Sequence, residues 1–568
     1  MRRMIETLLQ RALEQLTQEG VFPAGTLLPF KVERPREKNH GDFSTNAALV
    51  LSRWTDLKPR ALAEKILLAL SLDRSTLADC QIAGPGFINF TLSTTSLLGV
   101  ITDILQAGTQ YGRGSFGRGK RIQIEFVSAN PTGPMHVGHG RGAIFGDVLA
   151  RILEASGYEV LREYYINDAG HQIEVLGNSV LYRYRQKLGL DLSPPEEFYP
   201  GEYVGEIAQK LIEQEGGVWL SCHVAPQPVV DFAVATVLAY IRQDLDQLGI
   251  RFDSWFSERT LHREGRIEQV LALLTEKGLL YQGILEPPKA LSATETEEWE
   301  ARPQLLFRST RFGDEVDRPL QKGDGQYTYF AADVAYHFDK AQRGFDRLIN
   351  VWGADHGGYI KRVQAALAAL TGKTDLLEVK LMQMVNLTRG GEPVRMSKRA
   401  GNFVTLNEIV EETSADAVRF WFLTRSENSG LDFDLDLAVA KSNDNPVFYV
   451  QYAHARICSV GRQLREKGLE EGEEADLSLL QSQAELDLVR LLGSYPEIVE
   501  NAAKNFEPHR IPYYLIELAT AFHTYYNGHR ILESDINLRN ARLKLISAVR
   551  CVLANGLGLL GIQAPESM

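Results

Sequence analysis

The chain has 568 residues, 44% hydrophobic and 24% charged, with a formal net charge of −12 at pH 7. At roughly 150 residues per domain this length divides into three or four domains, and the composition is that of a folded globular protein, not a disordered or fibrous one. No run of about 18 apolar residues occurs, so no membrane-spanning helix is expected; the acidic total argues against a protein that coats nucleic acid, while leaving room for local basic surfaces toward a polyanionic substrate.

The first stretch, MRRMIETLLQRALEQL, reads as an amphipathic helix with Ile5, Leu8, Leu9, Ala12, Leu13 and Leu16 on one side, and Glu6 and Glu14 argue against a transit peptide. Strand-like runs such as FINFTL follow. The segment to about residue 110 is read as a small α+β domain that ends at a glycine-rich linker, YGRGSFGRGK. From Arg121, RIQIEFV followed by turn residues and a helix is how a parallel α/β sheet begins, with further strands expected at Arg347–Gly353 and Val379–Val385. Between them lies an insertion, roughly residues 171–320, with helical stretches such as VVDFAVATVLAYIRQDLDQLGI and the acidic, loop-like SATETEEWEARPQ. After about residue 440 glycine thins out and long amphipathic patterns read as a helical bundle. The expected architecture is therefore multidomain α/β: a small N-terminal α+β domain over 1–110, a Rossmann-like parallel-sheet catalytic domain over 111–440, and an all-helical domain over 441–568. Cys80, Cys222, Cys458 and Cys551 are far apart and form no CxxC pair, which argues against a thiolate zinc site and a disulfide framework. No metal-ligand set is expected, and a reducing cytoplasm is the default location.

The stretch SANPTGPMHVGHGRGAIFG, Ser128 to Gly146, carries the chemistry. Pro134 suits a first helical position, with Thr132 or Gly133 as cap. His136 and His139, three apart, then share a face near the positive helix end. Gly138, Gly142 and Gly146, four apart, form a second face without side chains. Each costs roughly 1 kcal/mol relative to alanine, which makes sense if something flat lies on the bare backbone. Such a turn, with a helix N-terminus and two histidine donors, suits a phosphate chain, and the bare face suits an adenine or ribose. The alternative is that the glycines only let the helix approach the sheet.

HVGH is neither a dinucleotide fingerprint nor a Walker loop. It resembles the HIGH signature of class I aminoacyl-tRNA synthetases, and GEPVRMSKRAGNFV, some 260 residues downstream, resembles their KMSKS motif, with Arg395 and Arg399 standing where the pattern has lysine and serine. Lys398 in that loop is a point charge on a long stem, suited to following a phosphate during reaction. HGDFSTNAAL, GPGFINF, YYINDAGHQI, YTYFAADVAYHFDK, VWGADHGGYIKR and NPVFYVQYAHARI extend the likeness over nearly the whole chain to arginyl-tRNA synthetases of the bacterial type.

That resemblance implies that L-arginine is joined to its tRNA using ATP, with Mg²⁺ as counterion, and that tRNA must be bound before arginine is activated. It implies catalytic roles for His136, His139 and Lys398, and ATP contacts from these with Gly138, Met396 and Ser397. Glu125, Asn130, Tyr329 and Asp333 would hold the arginine, with His356 near the substrates; a planar guanidinium calls for carboxylates in a shielded pocket. Phe87 and Asn89 would meet a D-loop base, and Tyr449, Tyr452 and Arg456 the anticodon, with Arg539, Arg542 and Lys544 on phosphates. Core packing is the open alternative for each tyrosine, and a helix-start role for Asp333. A monomer is expected. A different class I synthetase and a catalytically silent tRNA-binding relative are the rival readings; YFAADVAYH and the N-terminal domain speak against the first, intact His136, His139 and Lys398 against the second.

Overall fold

The computed structural model describes residues 1–25, 29–35, 37, 40–70, 76–285, 302–394, 404–469, 472 and 475–568. Helix Arg2–Gln18 buries Ile5, Leu9, Ala12, Leu13 and Leu16, with Leu8 at its margin, and packs on helix Pro59–Ala69. With them stands an antiparallel sheet of β1 (Val32–Glu33), β2 (Phe43–Thr45), β3 (Leu77–Ala83) and β4 (Phe87–Leu92), in the order β1-β2-β4-β3. In β4 the alternation is clean: Ile88, Phe90 and Leu92 are buried, and Phe87 and Asn89 lie on the other face.

The glycine-rich stretch expected as a linker is a packed corner. A Cβ on Gly112 would enter the Tyr495 ring and one on Gly117 the Tyr158 ring. Tyr111 stacks on Tyr495 with centroids 6.2 Å apart, and its hydroxyl donates to the Leu492 carbonyl. Glycine here permits close approach to the C-terminal bundle and does not confer looseness.

The central sheet is parallel throughout. Its strands are β5 (Arg121–Glu125), β6 (Glu159–Ile166), β7 (Ser254–Ser257), β11 (Arg347–Gly353) and β12 (Leu377–Met382), in the order β12-β11-β5-β6-β7. β7 lies within the stretch expected as one insertion, so the chain returns to the sheet midway through it. On either side of that return are helices His171–Lys187, Glu202–Glu215 and Gln227–Gln247, and an antiparallel sheet of β8 (Leu280–Gly283), β9 (Gln304–Phe307) and β10 (Arg318–Gln321). The run expected as a single strand over Val379–Val385 is the end of β12 and the start of β13 (Val385–Arg389), which pairs with β14 (Glu392–Pro393) and β15 (Leu431–Asp434). Helices Pro446–Glu466, Gln483–Leu492, Tyr495–Asn505, Arg510–Gly528 and Ile536–Leu559 form the bundle.

Buried arginines fasten these parts. Arg141 donates to the carbonyls of Gln383, Ser426 and Ser429 at 2.8 to 2.9 Å. Arg419, buried, pairs with Asp147 and donates to the carbonyls of Leu248 and Leu560, which joins the sheet domain, its insertion and the chain's last helix. Five donors in a fixed fork let one side chain satisfy three separate acceptors.

Because β5 and β11 are neighbours and the chain leaves them in opposite directions, the sheet has its switch point between them, where the loops diverge and open a crevice at the carboxyl ends of the strands.

Candidate active site

The crevice begins with an unusual backbone. Val127 and Ser128, just after β5, have φ of 67° and 39°, a region that a β-branched residue rarely enters. The turn is held from outside: the Tyr164 hydroxyl donates to the Ala129 carbonyl at 2.8 Å, and the Tyr203 hydroxyl to the Thr132 carbonyl at 2.6 Å.

The helix after this turn starts later than expected. It spans Val137–Ala155, so Pro134 stands outside it and His136 is the N-cap. His136 Nδ1 accepts from the Gly138 N–H at 3.1 Å, and His139 Nδ1 accepts from the His136 N–H at 3.3 Å, a capping box made of two imidazoles. The rings stack with centroids 3.7 Å apart. A neutral imidazole that accepts at Nδ1 carries its proton on Nε2, so each ring's donor is turned away from the helix backbone. The pair therefore presents ring N–H groups at the positive helix end beside a Gly138 amide that is already engaged by His136.

The glycines part company. A Cβ on Gly146 would enter the Phe126 ring, and one on Gly140 would come within 2.6 Å of Leu406; these glycines admit close packing. Gly142 is buried but would bring a Cβ only to 3.8 Å from Val351 and 3.9 Å from Met382. The uniform bare face expected for an adenine or ribose is thus occupied by Phe126 at its Gly146 end. Gly138 sits at the His136 ring, 3.0 Å from where its Cβ would be.

Arg395, Met396, Ser397, Lys398 and Arg399 lie outside the described residues. The chain that follows them does not: Thr405 pairs with His136 in an antiparallel bridge, and the Leu406 N–H donates to the Met135 carbonyl at 2.9 Å. Thr405 also caps helix Leu406–Glu412 through a capping box with Glu408.

Across the crevice, side chains from distant segments converge. Glu125 ends β5 and is buried; its Oε1 accepts from Ser128 Oγ at 3.1 Å and its Oε2 from Lys340 Nζ at 2.7 Å. Tyr329 and Asp333 share a face of helix Tyr329–Gln342, capped by Thr328. Tyr329 is 42% exposed, its ring facing Gly170, and Asp333 Oδ2 accepts from the Tyr359 hydroxyl at 2.6 Å. Asn130 is exposed and donates to Gln172 at 3.0 Å. His356 sits on the turn after β11, exposed beside Asp355, its ring edge-on to Trp352.

Two members of this cluster carried no sequence signal of their own. Glu258 follows β7, is buried, and raises the proton affinity of His262. Tyr165, near the end of β6, is also buried, and its hydroxyl makes no well-formed hydrogen bond with a described residue. Burial, followed by the charges of Glu258, Asp333 and Glu125, holds the Tyr165 proton far above the ordinary phenol range. The charges of two carboxylates at the ends of β5 and β7 and of one on helix Tyr329–Gln342 thus act on one phenol at the end of β6. Tyr165 and Glu258 share with Glu125 a place at or just after a strand end, whereas Asp333 lies one turn into a helix.

Elsewhere, Phe87 is 40% exposed and shares its face with Asn89, which lies in register with Ser44 and Gln81. In the bundle, Tyr449 and Tyr452 lie 4.6 and 5.6 Å from the His523 ring, and Arg456 lies over the Tyr526 ring and donates to Asn527. The arginines expected on phosphates are different. Arg539 is buried, and Arg542 donates to Glu485, itself buried, at 2.9 Å; a guanidinium so used is a structural tie.

Three family profiles match the chain: "Arginyl tRNA synthetase N terminal domain" over residues 3–92, "tRNA synthetases class I (R), catalytic domain" over 100–199, and "DALR anticodon binding domain" over 450–568. Among curated proteins, an arginine–tRNA ligase of Magnetococcus marinus is 58% identical with both chains fully covered, and one of Parvibaculum lavamentivorans is 49% identical over 100% of this chain and 99% of its own. The arginyl-tRNA synthetase structure of Thermus thermophilus superposes with a TM-score of 0.74 at 23% identity, covering all of both chains, and shares the fold.

Proposed function

The chain belongs to the arginyl-tRNA synthetase family, and on that premise we propose how its side chains divide the work. The reaction is the family's: L-arginine is ligated to its tRNA using ATP, through an arginyl-adenylate, with release of AMP and pyrophosphate. The observation that carries the division is that buried Tyr165, one strand away from the stacked histidines, feels the charges of Glu258, Asp333 and Glu125, with Glu125 and Asp333 each held by a hydrogen bond from a neighbouring segment.

On this reading the guanidinium enters the carboxylate cluster, with Asp333 and Glu125 as partners and Tyr329 and Asn130 at its rim; His356 lies on the far side of the switch point. The arginine carboxylate attacks the α-phosphate in line, and negative charge grows on the phosphate oxygens. His136 and His139 offer Nε2–H donors to that charge at a helix N-terminus. Lys398 follows the leaving pyrophosphate, with Met396 and Ser397 against the nucleotide and Gly138 leaving room beside the His136 ring. Mg²⁺ is a small ion that keeps its waters and binds phosphates, so it enters with ATP.

Phe87 is an exposed ring on which a D-loop base stacks, with Asn89 two residues on to read its edge. Tyr452 and Arg456 offer a comparable platform for the anticodon, with Tyr449 holding His523 beneath it. The enzyme works as a monomer in the cytoplasm. ATP–pyrophosphate exchange across the twenty amino acids, with and without tRNA, tests the reading: exchange with arginine alone, dependent on tRNA, is expected. Exchange driven by another amino acid would overturn the pocket assignment.

A further inference from the structure

Lys340 is fully buried in the last turn of helix Tyr329–Gln342. On the surface, a lysine there would stabilise the helix dipole without losing its water, so burial needs another reason. Its Nζ donates to Glu125 Oε2 at 2.7 Å and to Asn350 Oδ1 at 2.8 Å, and lies 4.7 Å from the centre of the Tyr336 ring. Asn350 Nδ2 donates in turn to His337 Nε2 at 2.8 Å, and His337 Nδ1–H to the Asp333 carbonyl at 2.8 Å. Burial, then the Lys340 charge, keeps His337 well below its ordinary pKa, so Lys340 is the one cation of this chain of bonds.

We propose that Lys340 is a positioning residue for arginine recognition: its ammonium holds the buried Glu125 carboxylate in a fixed orientation before substrate arrives. The inference rests on the reading that Glu125 meets the substrate. Its physical basis is preorganisation. Ser128 Oγ donates to one oxygen of the buried Glu125 carboxylate and Lys340 Nζ to the other, so the carboxylate is fixed from two sides and the substrate meets a partner already in place and aimed.

The test is a double-mutant cycle on the full-length enzyme with tRNA bound, reading KM for arginine, KM for ATP and kcat separately, with melting temperatures as the folding control. Lys340→Met is expected to raise the arginine KM roughly tenfold to a hundredfold, with the ATP KM unchanged and kcat within a few-fold. Glu125→Gln raises the arginine KM as well, and the double variant Glu125→Gln/Lys340→Met resembles Glu125→Gln alone, because Lys340 acts through Glu125. The double variant buries neither charge unpaired, so it gives the answer if Lys340→Met does not fold. An unchanged arginine KM in folded Lys340→Met, or additive losses in the double variant, overturns the proposal while Glu125→Gln still reports on Glu125. If Glu125→Gln itself leaves the arginine KM intact, the reading beneath falls and the proposal with it.

Discussion

The two ends of the crevice are built in opposite ways. The proposed phosphate end is local: His136, Gly138 and His139 lie within four residues, and their geometry follows from one helix start, with two rings capping it and each other's position fixed by backbone amides. The proposed arginine end is distributed: Glu125, Tyr165, Glu258 and Asp333 come from four segments, and Lys340 from the last turn of the helix that carries Asp333 near its start. A local site needs only its own secondary structure to form. A distributed one exists only when the sheet has closed in the right order, and its charges must be satisfied across elements.

If the two ends are separable, substitutions should divide cleanly between substrates. The largest effect is expected from Asp333→Asn, which keeps the shape and removes the charge. Truncating one side of a buried charged pair costs about 2 to 5 kcal/mol, so the arginine KM should rise by that measure while the ATP KM stays nearly constant. Intact arginine kinetics in a folded variant would make Asp333 a partner of Tyr359 only.

Lys398→Ala should break the other end, slowing adenylate formation by about 2 to 4 kcal/mol with little change in arginine affinity. Pre-steady-state measurement of adenylate formation checks it, and near-normal turnover would remove Lys398 from the chemistry. His136→Asn comes next and sharpens the point. Asparagine is a strong N-cap and can accept from the Gly138 amide as His136 Nδ1 does, so the melting temperature should hold. Loss of the Nε2–H donor should cost about 1.5 to 3 kcal/mol in the phosphate-transfer step. A fall in stability without a fall in rate would show that His136 serves as cap alone.

The smallest effects distinguish the glycines. Gly146→Ala forces a methyl into the Phe126 ring and should destabilise by about 1 to 3 kcal/mol. Gly142→Ala meets Val351 and Met382 at ordinary contact distance and should be neutral or stabilising by about 0.5 to 1 kcal/mol, since alanine is the better helix former. If Gly142→Ala instead weakens ATP binding in a stable protein, the nucleotide does lie on that stretch of helix.

The amino-acid order by itself determined what short-range periodicity and capping can express. The helix over Arg2–Gln18, the strands β4 and β11, the helical bundle and the histidine pair all follow from side-chain spacing within a few residues. It did not determine which of several polar residues at helix starts and ends turn inward. Arg542 is expected on a phosphate and Lys340 carries no expectation at all; tertiary packing brings Glu485 and Glu125 within 3 Å of them. Glu258 has no motif around it and acquires a role because β7 is laid beside β6, an adjacency formed across about 90 residues of intervening chain. Charge carries no periodicity. Where a charged group is buried, and against what, is decided by the closing of the sheet and the desolvation that comes with it.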